Sequence, residues 1–213
     1  MKTRKKNITQ PKETLLLVCA TEAEALYFSQ MRKDCRYVNL TVMQVPEGKA
    51  KNLEALIDFT GRQRSRGRFD SAWALFGFDD LGVGVSDVKE MEEYAAKKKV
   101  KMLYFNPTFE LWFLLHLGTP GAFVSDAGAI KEKVRTGVTN GTPFSAEYLL
   151  TNGLNLHIRL FPMHSKADLG ARNYNDIVRT QTGLEATTMP LFDEDIEAIC
   201  GKADMSHNQK ARR

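Results

Sequence analysis

The first half of the chain alternates short apolar runs with longer segments whose apolar residues recur at helical spacing. "TLLLVCA" at 14–20 is followed directly by "TEAEALYFSQMRKD" at 21–34, which carries Leu26, Tyr27 and Met31. Buried strands and amphipathic helices produce these two patterns. Strands are predicted at 14–20, 37–45, 71–78 and 100–105, and helices at 21–34, 49–63, 86–99 and 106–118. The alternation predicts an α/β fold, with a mostly parallel sheet and helices on both faces.

Changes in composition divide the chain into three parts. Residues 1–12 form a basic N-terminal tail, and residues 13–118 contain the predicted α/β core. From residue 119 onward Gly, Thr, Ser and Asn become frequent and helical periodicity weakens, although "KEKVRTG" and "ARNYNDIVRTQTG" are typical of helices. We therefore expect residues 119–213 to form a smaller, mainly helical C-terminal extension, packed on the sheet and ending in a basic tail.

Charge and cysteine content narrow the class of protein. The 213 residues have a net charge of +4, with basic residues concentrated at both ends. A basic balance favours an acidic partner such as nucleic acid, although basic tails are also common as solvated tails. The three cysteines have no metal-ligand spacing, which is typical of reduced thiols in a cytoplasmic protein. The sequence shows no apolar stretch of membrane-spanning length and no secretory signal, so no membrane association is expected.

Carboxylates follow two of the predicted strands. Asp79 and Asp80 come directly after the strand at 71–78, and Glu22 and Glu24 come just after the strand at 14–20. Because the carboxyl ends of parallel strands share one edge of a sheet, all four side chains are predicted there. Hard oxygen ligands in such a group suit Mg²⁺. The alternative is structural: the glutamates complement a helix N-terminus, and Asp79 caps a loop.

Other polar residues are candidates with competing interpretations. Glu110 follows the start of the helix at 106–118 and is a further candidate acid, whereas His116 is expected to be a hydrogen-bonded core histidine. Lys166 is a candidate for contact with a phosphate or an acid. Alternate arginines in a predicted loop could bind nucleic-acid phosphates through their forked guanidinium groups, or could belong to a solvated basic loop. These arginines are Arg62, Arg64, Arg66 and Arg68.

Three stretches resemble the RloB family. "CATEAEALYF" at 19–28 resembles its opening Cys-Glu-Gly motif, and "WALFGFDD" at 73–80 resembles its strand ending in Asp-x-Asp-Asp. The closest of the three is "NPTFELWFLLHLG" at 106–118, which is similar to the family's Asn-Pro-x-Phe-Glu-x-Trp-x-Leu-Leu-His segment. The resemblance covers roughly residues 14–118, while "HSKADLGARNY" at 164–174 is only loosely similar.

The resemblance implies a Toprim-like fold and a role in restriction or anti-phage gene clusters. In Toprim proteins a glutamate after the first strand acts as general acid or base, and an Asp-x-Asp after a later strand binds Mg²⁺. In this chain, however, Ala20 stands where the family has the glutamate, Thr21 follows it where the family has glycine, and Gly77 stands where it has the first aspartate. Of that pair only Asp79 is retained, with Asp80 beside it.

Two functions are therefore expected from different classes. The first is a catalytically degenerate RloB-like protein that binds DNA, RNA or a partner protein from a defence gene cluster, with weak or no catalysis. The alternative is an active Mg²⁺-dependent nuclease in which Glu22 or Glu24 replaces the missing glutamate and acts with Asp79 and Asp80. Losing a positioned acid or base costs roughly 10²–10⁴ in rate, which favours the first.

Overall fold

A computed structural model describes residues 12–136, 138–139, 142–143 and 155–206 of the chain. Four parallel strands form the sheet: β1 (Leu15–Cys19), β2 (Leu40–Gln44), β3 (Ser71–Gly77) and β4 (Lys101–Phe105). Their order across the sheet is β2-β1-β3-β4. The register pairs Leu15 of β1 with Leu40 and Ser71, and Trp73 of β3 with Lys101. The predicted parallel sheet is confirmed, with each strand within three residues of its predicted bounds.

Helices connect the strands. These are α1 (Glu22–Asp34), α2 (Leu53–Gly67), the short α3 (Phe78–Leu81), α4 (Val85–Lys97) and α5 (Glu110–Leu117). Three predicted details are wrong. Helix α2 starts later than predicted, because the Asn52 side chain caps it by accepting a hydrogen bond from Ala55 N. Helix α4 begins one residue earlier than predicted, at Val85, with Gly84 as its N-cap. The segment that opens with Pro107 becomes helical only at Glu110.

The C-terminal part is mainly helical in the residues that the structure describes. It contains α6 (Ala127–Thr136), α7 (Leu156–Leu160), a 3₁₀ turn (Phe161–Met163), α8 (His164–Thr182) and α9 (Met189–Cys200). Two-residue strands β5 (Val138–Thr139) and β6 (Thr142–Pro143) form a small antiparallel pair. Most of the segment at 136–145 and the two basic tails lie outside the described residues.

The sheet is covered on both faces, as its sequence pattern predicts. Along β1, Leu15, Leu17 and Cys19 are buried against α1, α5 and the C-terminal helices. The alternate residues Leu16 and Val18 are buried on the other face against α2 and α4. Successive side chains of a strand point to opposite faces, so a strand buried on both faces is apolar throughout.

One carboxylate attaches the C-terminal part to the sheet. Asp195 Oδ2, on α9, accepts hydrogen bonds from Ser71 Oγ at 2.6 Å and Trp73 Nε1 at 2.8 Å. Lys101 Nζ lies 2.9 Å from the same oxygen. Burial of Asp195 opposes its ionisation, but these three donors together lower its pKa. Because the donors belong to β3 and β4, Asp195 holds α9 against two neighbouring strands.

Candidate functional sites at the two ends of the sheet

The carboxyl ends of β1 and β3 lie side by side in the middle of the sheet. From β1 the chain continues to β2 on one side, whereas from β3 it continues to β4 on the other. In open parallel sheets, ligands bind in the crevice that opens where the connections diverge in this way. Ala20 N donates to Leu75 O at 2.9 Å, which fixes the end of β1 against β3.

Only one of the two glutamates after β1 is buried near this crevice. Glu22 is exposed on the first turn of α1, whereas Glu24 is fully buried. Glu24 Oε2 accepts a hydrogen bond from Thr21 N at 2.8 Å, and Thr21 Oγ1 accepts one from Glu24 N at 3.4 Å, which forms a capping box. Burial and the charge of Asp80 raise the pKa of Glu24, although its bonds to Thr21 oppose the shift. Glu24 therefore caps α1 and also faces the acids that follow β3.

Asp79 and Asp80 occupy the short helix α3 immediately after β3. The Asp79 side chain is 23% exposed, and its Oδ2 atom accepts a hydrogen bond from Lys131 Nζ at 2.5 Å. Asp80 is exposed as a residue, but the surrounding protein partly desolvates its carboxyl group and raises its pKa to about 6, helped by the negative charges of Asp79 and Glu110 and opposed by Lys131. Asp80 therefore keeps its proton to a higher pH than an ordinary aspartic acid.

Two residues of the most similar sequence motif and one of α6 complete the group. Glu110 is buried at the start of α5, and its Oε2 atom accepts a hydrogen bond from Thr108 Oγ1 at 2.5 Å. Burial opposes the charged form of Lys131, but its bond to Asp79 and the charges of Glu110 and Asp80 together raise its pKa. We call Glu24, Asp79, Asp80 and Glu110 the acidic cluster. Lys131 is the cation bonded to it.

Ala20 and Gly77 lie at the ends of the two central strands, where the resemblance expects acids. The backbone of Gly77 has φ −84° and ψ 147°, which any residue can adopt. Space is more restricted: a Cβ atom there would lie 2.6 Å from Asp80 Oδ2, 3.0 Å from Asp79 Oδ1 and 3.2 Å from Phe109 N. A side chain at position 77 would therefore displace the carboxylates that remain.

The acidic cluster does not fit a Mg²⁺ ion as it stands. In the described part of the chain, no three His, Cys, Asp or Glu side chains are grouped closely enough to hold a metal ion. Lys131 is bonded to Asp79, and one oxygen of Glu24 is engaged in capping α1. The other oxygen, Oε1, is buried and has no hydrogen-bond partner among the described residues. A Mg²⁺ site would require the side chains to rearrange and Lys131 to move away.

The arginines lie at the opposite end of the sheet and belong to a helix. Arg62, Arg64 and Arg66 occupy the last turns of α2, and Arg68 is its C-cap. The prediction of a loop is therefore wrong, because arginine and glutamine are good helix formers and extend α2 beyond its apolar residues. Lysines at the end of α4 approach these arginines, and both helices end where β3 and β4 begin. The sequence interpretation did not single out Lys97, Lys98 and Lys99.

Two other candidates have structural roles. Lys166 Nζ, on α8, donates a hydrogen bond to Leu117 O at 2.9 Å and so satisfies a carbonyl group at the end of α5. His116 is fully buried, and its Nδ1 atom lies 2.8 Å from Trp112 O. Burial lowers the pKa of His116 to about 3. His116 is therefore a neutral core histidine, as predicted. Lys166 lies far from the arginines in sequence and on the other side of the sheet.

A buried Cys-His-Asp arrangement joins α1 to α7. His157 Nδ1 lies 2.9 Å from Asp34 Oδ2, and its Nε2 atom lies 3.8 Å from Cys35 Sγ. Nucleophilic cysteines in enzymes are also paired with a histidine that a carboxylate orients, but they react as thiolates. Burial and then the charge of Asp34 raise the pKa of Cys35 to about 12, and the thiol is at the C-cap of α1, where the helix dipole is negative. The arrangement therefore satisfies buried polar groups.

Among the described helices, none is long and apolar enough to cross a membrane. The three cysteines, Cys19, Cys35 and Cys200, are free thiols.

Comparison with known proteins identifies one family: the model described as RloB-like protein matches residues 15–162, which is more than half of the chain. No curated protein and no solved structure matches the chain.

Proposed function

Because the chain belongs to the RloB-like family, we propose that it is a cytoplasmic phage-defence protein that binds nucleic acid through a Toprim-type fold, with weak or no catalysis. The family resemblance supplies the phage-defence role and the Toprim-type fold in this proposal. The observation that carries nucleic-acid binding is the basic surface at the end of α2, where Arg62, Arg64 and Arg66 lie beside the three consecutive lysines at which α4 ends.

The basic surface supports binding through phosphates rather than through bases. Its side chains are mostly exposed, and lysine and arginine at such positions neutralise phosphate charge and release counterions. This kind of binding is independent of sequence and weakens steeply with salt. The cations project from the ends of two helices that pack against each other, so their backbone positions are close together.

The acidic cluster supports weak or absent catalysis. Ala20 has no proton to transfer, Gly77 supplies no ligand, and Lys131 already neutralises Asp79. A lysine bonded to a carboxylate disfavours a divalent cation at the same oxygen by direct charge repulsion. Lys131 therefore competes with a metal ion for Asp79, which supports weak or absent metal-dependent catalysis.

Binding of labelled DNA and RNA oligonucleotides of mixed sequence, followed by fluorescence anisotropy between 50 and 200 mM salt (about a fourfold range), tests the proposal. We expect weak binding to both that falls at least about tenfold over this range. Replacing Arg62, Arg64, Arg66 and Arg68 together by Ala should abolish most of it. Unchanged affinity of this variant at low salt would contradict the proposed surface, and no binding by the natural protein would favour a protein partner instead.

The second candidate function is a Mg²⁺-dependent nuclease that uses Glu24 with Asp79 and Asp80. Two observations favour it. The Oε1 atom of the buried Glu24 has no hydrogen-bond partner in the described part of the chain, and the pKa values of Glu24 and Asp80 are raised, which suits a group that holds and releases a proton. Glu22 is a weaker replacement for the missing glutamate because it is exposed.

Titration with Mg²⁺ and Mn²⁺, observed by calorimetry, and a cleavage assay on DNA and RNA separate the two functions. We expect little metal binding and little cleavage. Robust Mg²⁺-dependent cleavage that is lost in Asp79→Ala and Glu24→Gln, but retained in Glu22→Gln, would establish the nuclease instead.

A further inference from the structure

The C-terminal halves of α2 and α4 enclose an open pocket at the end of the sheet opposite the acidic cluster. Its volume is about 890 Å³. Among the residues that the structure describes, six cations face it against a single carboxylate, which belongs to Asp58. The cations are Arg62, Arg64, Arg66, Lys97, Lys98 and Lys99. We call this the basic pocket; Arg68 is not part of its lining.

The two helices that form the pocket pack against each other. Gly61 is buried, and a Cβ atom added to it would lie 3.4 Å from Lys98 Cβ, which is van der Waals contact, so α2 and the end of α4 pack directly against each other here. Asp58 Oδ1 then accepts hydrogen bonds from Lys98 Nζ at 2.8 Å and from Tyr94 Oη at 2.7 Å. Asp58 therefore positions one lysine and leaves most of the positive charge uncompensated.

Three of the cations have no acidic partner within the described part of the chain: Arg64, Arg66 and Lys99. Arg64 Nε is in addition shielded from solvent without any hydrogen-bond acceptor there. Arg64 is otherwise partly exposed, and an anion that draws its guanidinium group toward the pocket would give this donor an acceptor. Arg64 and Lys99 also line a second, adjoining cavity of about 490 Å³, so the positive surface continues beyond the basic pocket.

The backbone at Lys99 adds an independent observation. Its φ angle is +57°, in the left-handed region where glycine is the favoured residue after a helix. Such a conformation costs a non-glycine residue energy, and residues that keep it often serve a function. At this position the chain carries a lysine that faces the pocket instead of the less costly glycine.

We propose that the basic pocket binds the phosphate groups of a nucleic-acid strand. The inference rests on the proposed function and names the part of the surface that contacts phosphate. Both helices present their negative C-terminal ends here, so the side chains, and not the helix dipoles, must attract the anion. A pocket of this volume with several separate cations suits successive phosphates better than one isolated anion.

The experiment uses three test variants: Arg64→Gln, Lys99→Gly and the double variant that carries both changes. Each is compared with the control variant Lys33→Gln. Lys33 is exposed on α1, which lies on the other face of the sheet, so the control removes the same charge elsewhere. Two probes are used: a fluorescently labelled mixed-sequence oligonucleotide and inorganic tripolyphosphate, a free phosphate source. We expect each single variant to weaken oligonucleotide binding about threefold to tenfold and to lower the salt dependence of that binding by about one counterion. Lys33→Gln should change neither quantity.

Thermal melting distinguishes a functional lysine from a structural one. Lys99→Gly should keep or raise the melting temperature, because glycine relieves the left-handed conformation, while it weakens binding. If the natural protein binds the oligonucleotide and the double variant binds it as well as Lys33→Gln does, the pocket is overturned and the proposed function stands. If tripolyphosphate binds and the double variant loses it, but no oligonucleotide binds, the pocket takes a free phosphate compound and the proposed function fails. Binding of neither probe overturns both.

Discussion

The two ends of the sheet are electrostatic opposites that are built in different ways. At the carboxyl end, four carboxylates surround one lysine, and Glu24 and Glu110 are buried. At the other end, six cations surround one carboxylate, and most of their side chains are in water. Burial shifts the pKa values of Glu24 and Asp80 upward at the first end, whereas hydrogen bonds from Lys98 and Tyr94 lower the pKa of Asp58 at the second.

The difference in burial separates the physical behaviour of the two ends. Like charges in a partly desolvated cluster repel one another strongly, and dissolved salt screens them poorly. Exposed cations repel one another weakly, and salt screens both that repulsion and their attraction for a ligand. The acidic cluster should therefore govern stability and its pH dependence, whereas the basic pocket should govern salt-sensitive binding with little effect on stability.

The largest expected effect comes from filling the space at Gly77. Gly77→Ala should lower the free energy of unfolding by about 2 kcal/mol, because the new methyl group would overlap Asp80 and approach the backbone at Phe109. Urea unfolding measures the change. Gly118→Ala is the matched control, since a Cβ atom at that glycine meets nothing within 4 Å. Equal effects of the two variants would show that the acids at β3 are not crowded.

Restoring both acids that the family resemblance expects, Ala20→Glu with Gly77→Asp, meets the same steric problem at position 77. Its fold must be verified by thermal melting before its metal affinity or activity is interpreted. The single variant Ala20→Glu adds a carboxylate without that problem, because Ala20 is only partly buried.

Removal of the lysine should make the acidic cluster more receptive to a divalent cation. Lys131→Gln removes a positive charge bonded to Asp79, so the affinity for Mg²⁺ should increase by about tenfold. Isothermal titration calorimetry measures this change. Lys133→Gln, on the same helix, is the control because it removes an equal charge without the bond to Asp79. Unchanged Mg²⁺ affinity in Lys131→Gln would show that the lysine does not control the site.

The raised pKa of Asp80 predicts that a neutral residue at this position stabilises the protein at pH values where Asp80 would be ionised. Because the folded pKa is about 6 and the ordinary value is 3.8, the ionised form is disfavoured by folding, and stability falls as the pH rises through 6. Asp80→Asn should therefore be more stable than the natural protein by about 1 kcal/mol at pH 7.5, after discounting for its exposure. The gain should disappear below pH 4. Asp79→Asn, which loses the bond to Lys131, should show no such gain.

The smallest effect is expected from the lone carboxylate of the basic pocket. Asp58→Asn removes a negative charge but keeps an oxygen that can accept a hydrogen bond from Tyr94, so oligonucleotide affinity should rise about threefold at low salt. The increase should vanish at high salt, where exposed charges are screened. A decrease in affinity would indicate that the positioning of Lys98 by Asp58 favours binding more than the negative charge of Asp58 opposes it.

The strands, and the edge at which the acids emerge, were predictable because they depend on short-range pattern. A run of apolar residues buried on both faces predicts a parallel strand, and parallel strands place their carboxyl ends together. Glu24 and Asp80 were therefore correctly placed at the same end of the sheet. The pattern did not distinguish Glu24 from Glu22, because that difference depends on which side of α1 faces the crevice.

By itself, the sequence determined the order of strands and helices, the absence of two expected acids at Ala20 and Gly77, and the positive character of α2. Only the tertiary structure decided which charges meet. Lys131 reaches Asp79 across 52 residues, and Lys99 and Arg64 line one pocket because α2 and α4 pack side by side. Local patterns report the period of burial along one element, whereas a contact between elements depends on how their packed faces are oriented in space.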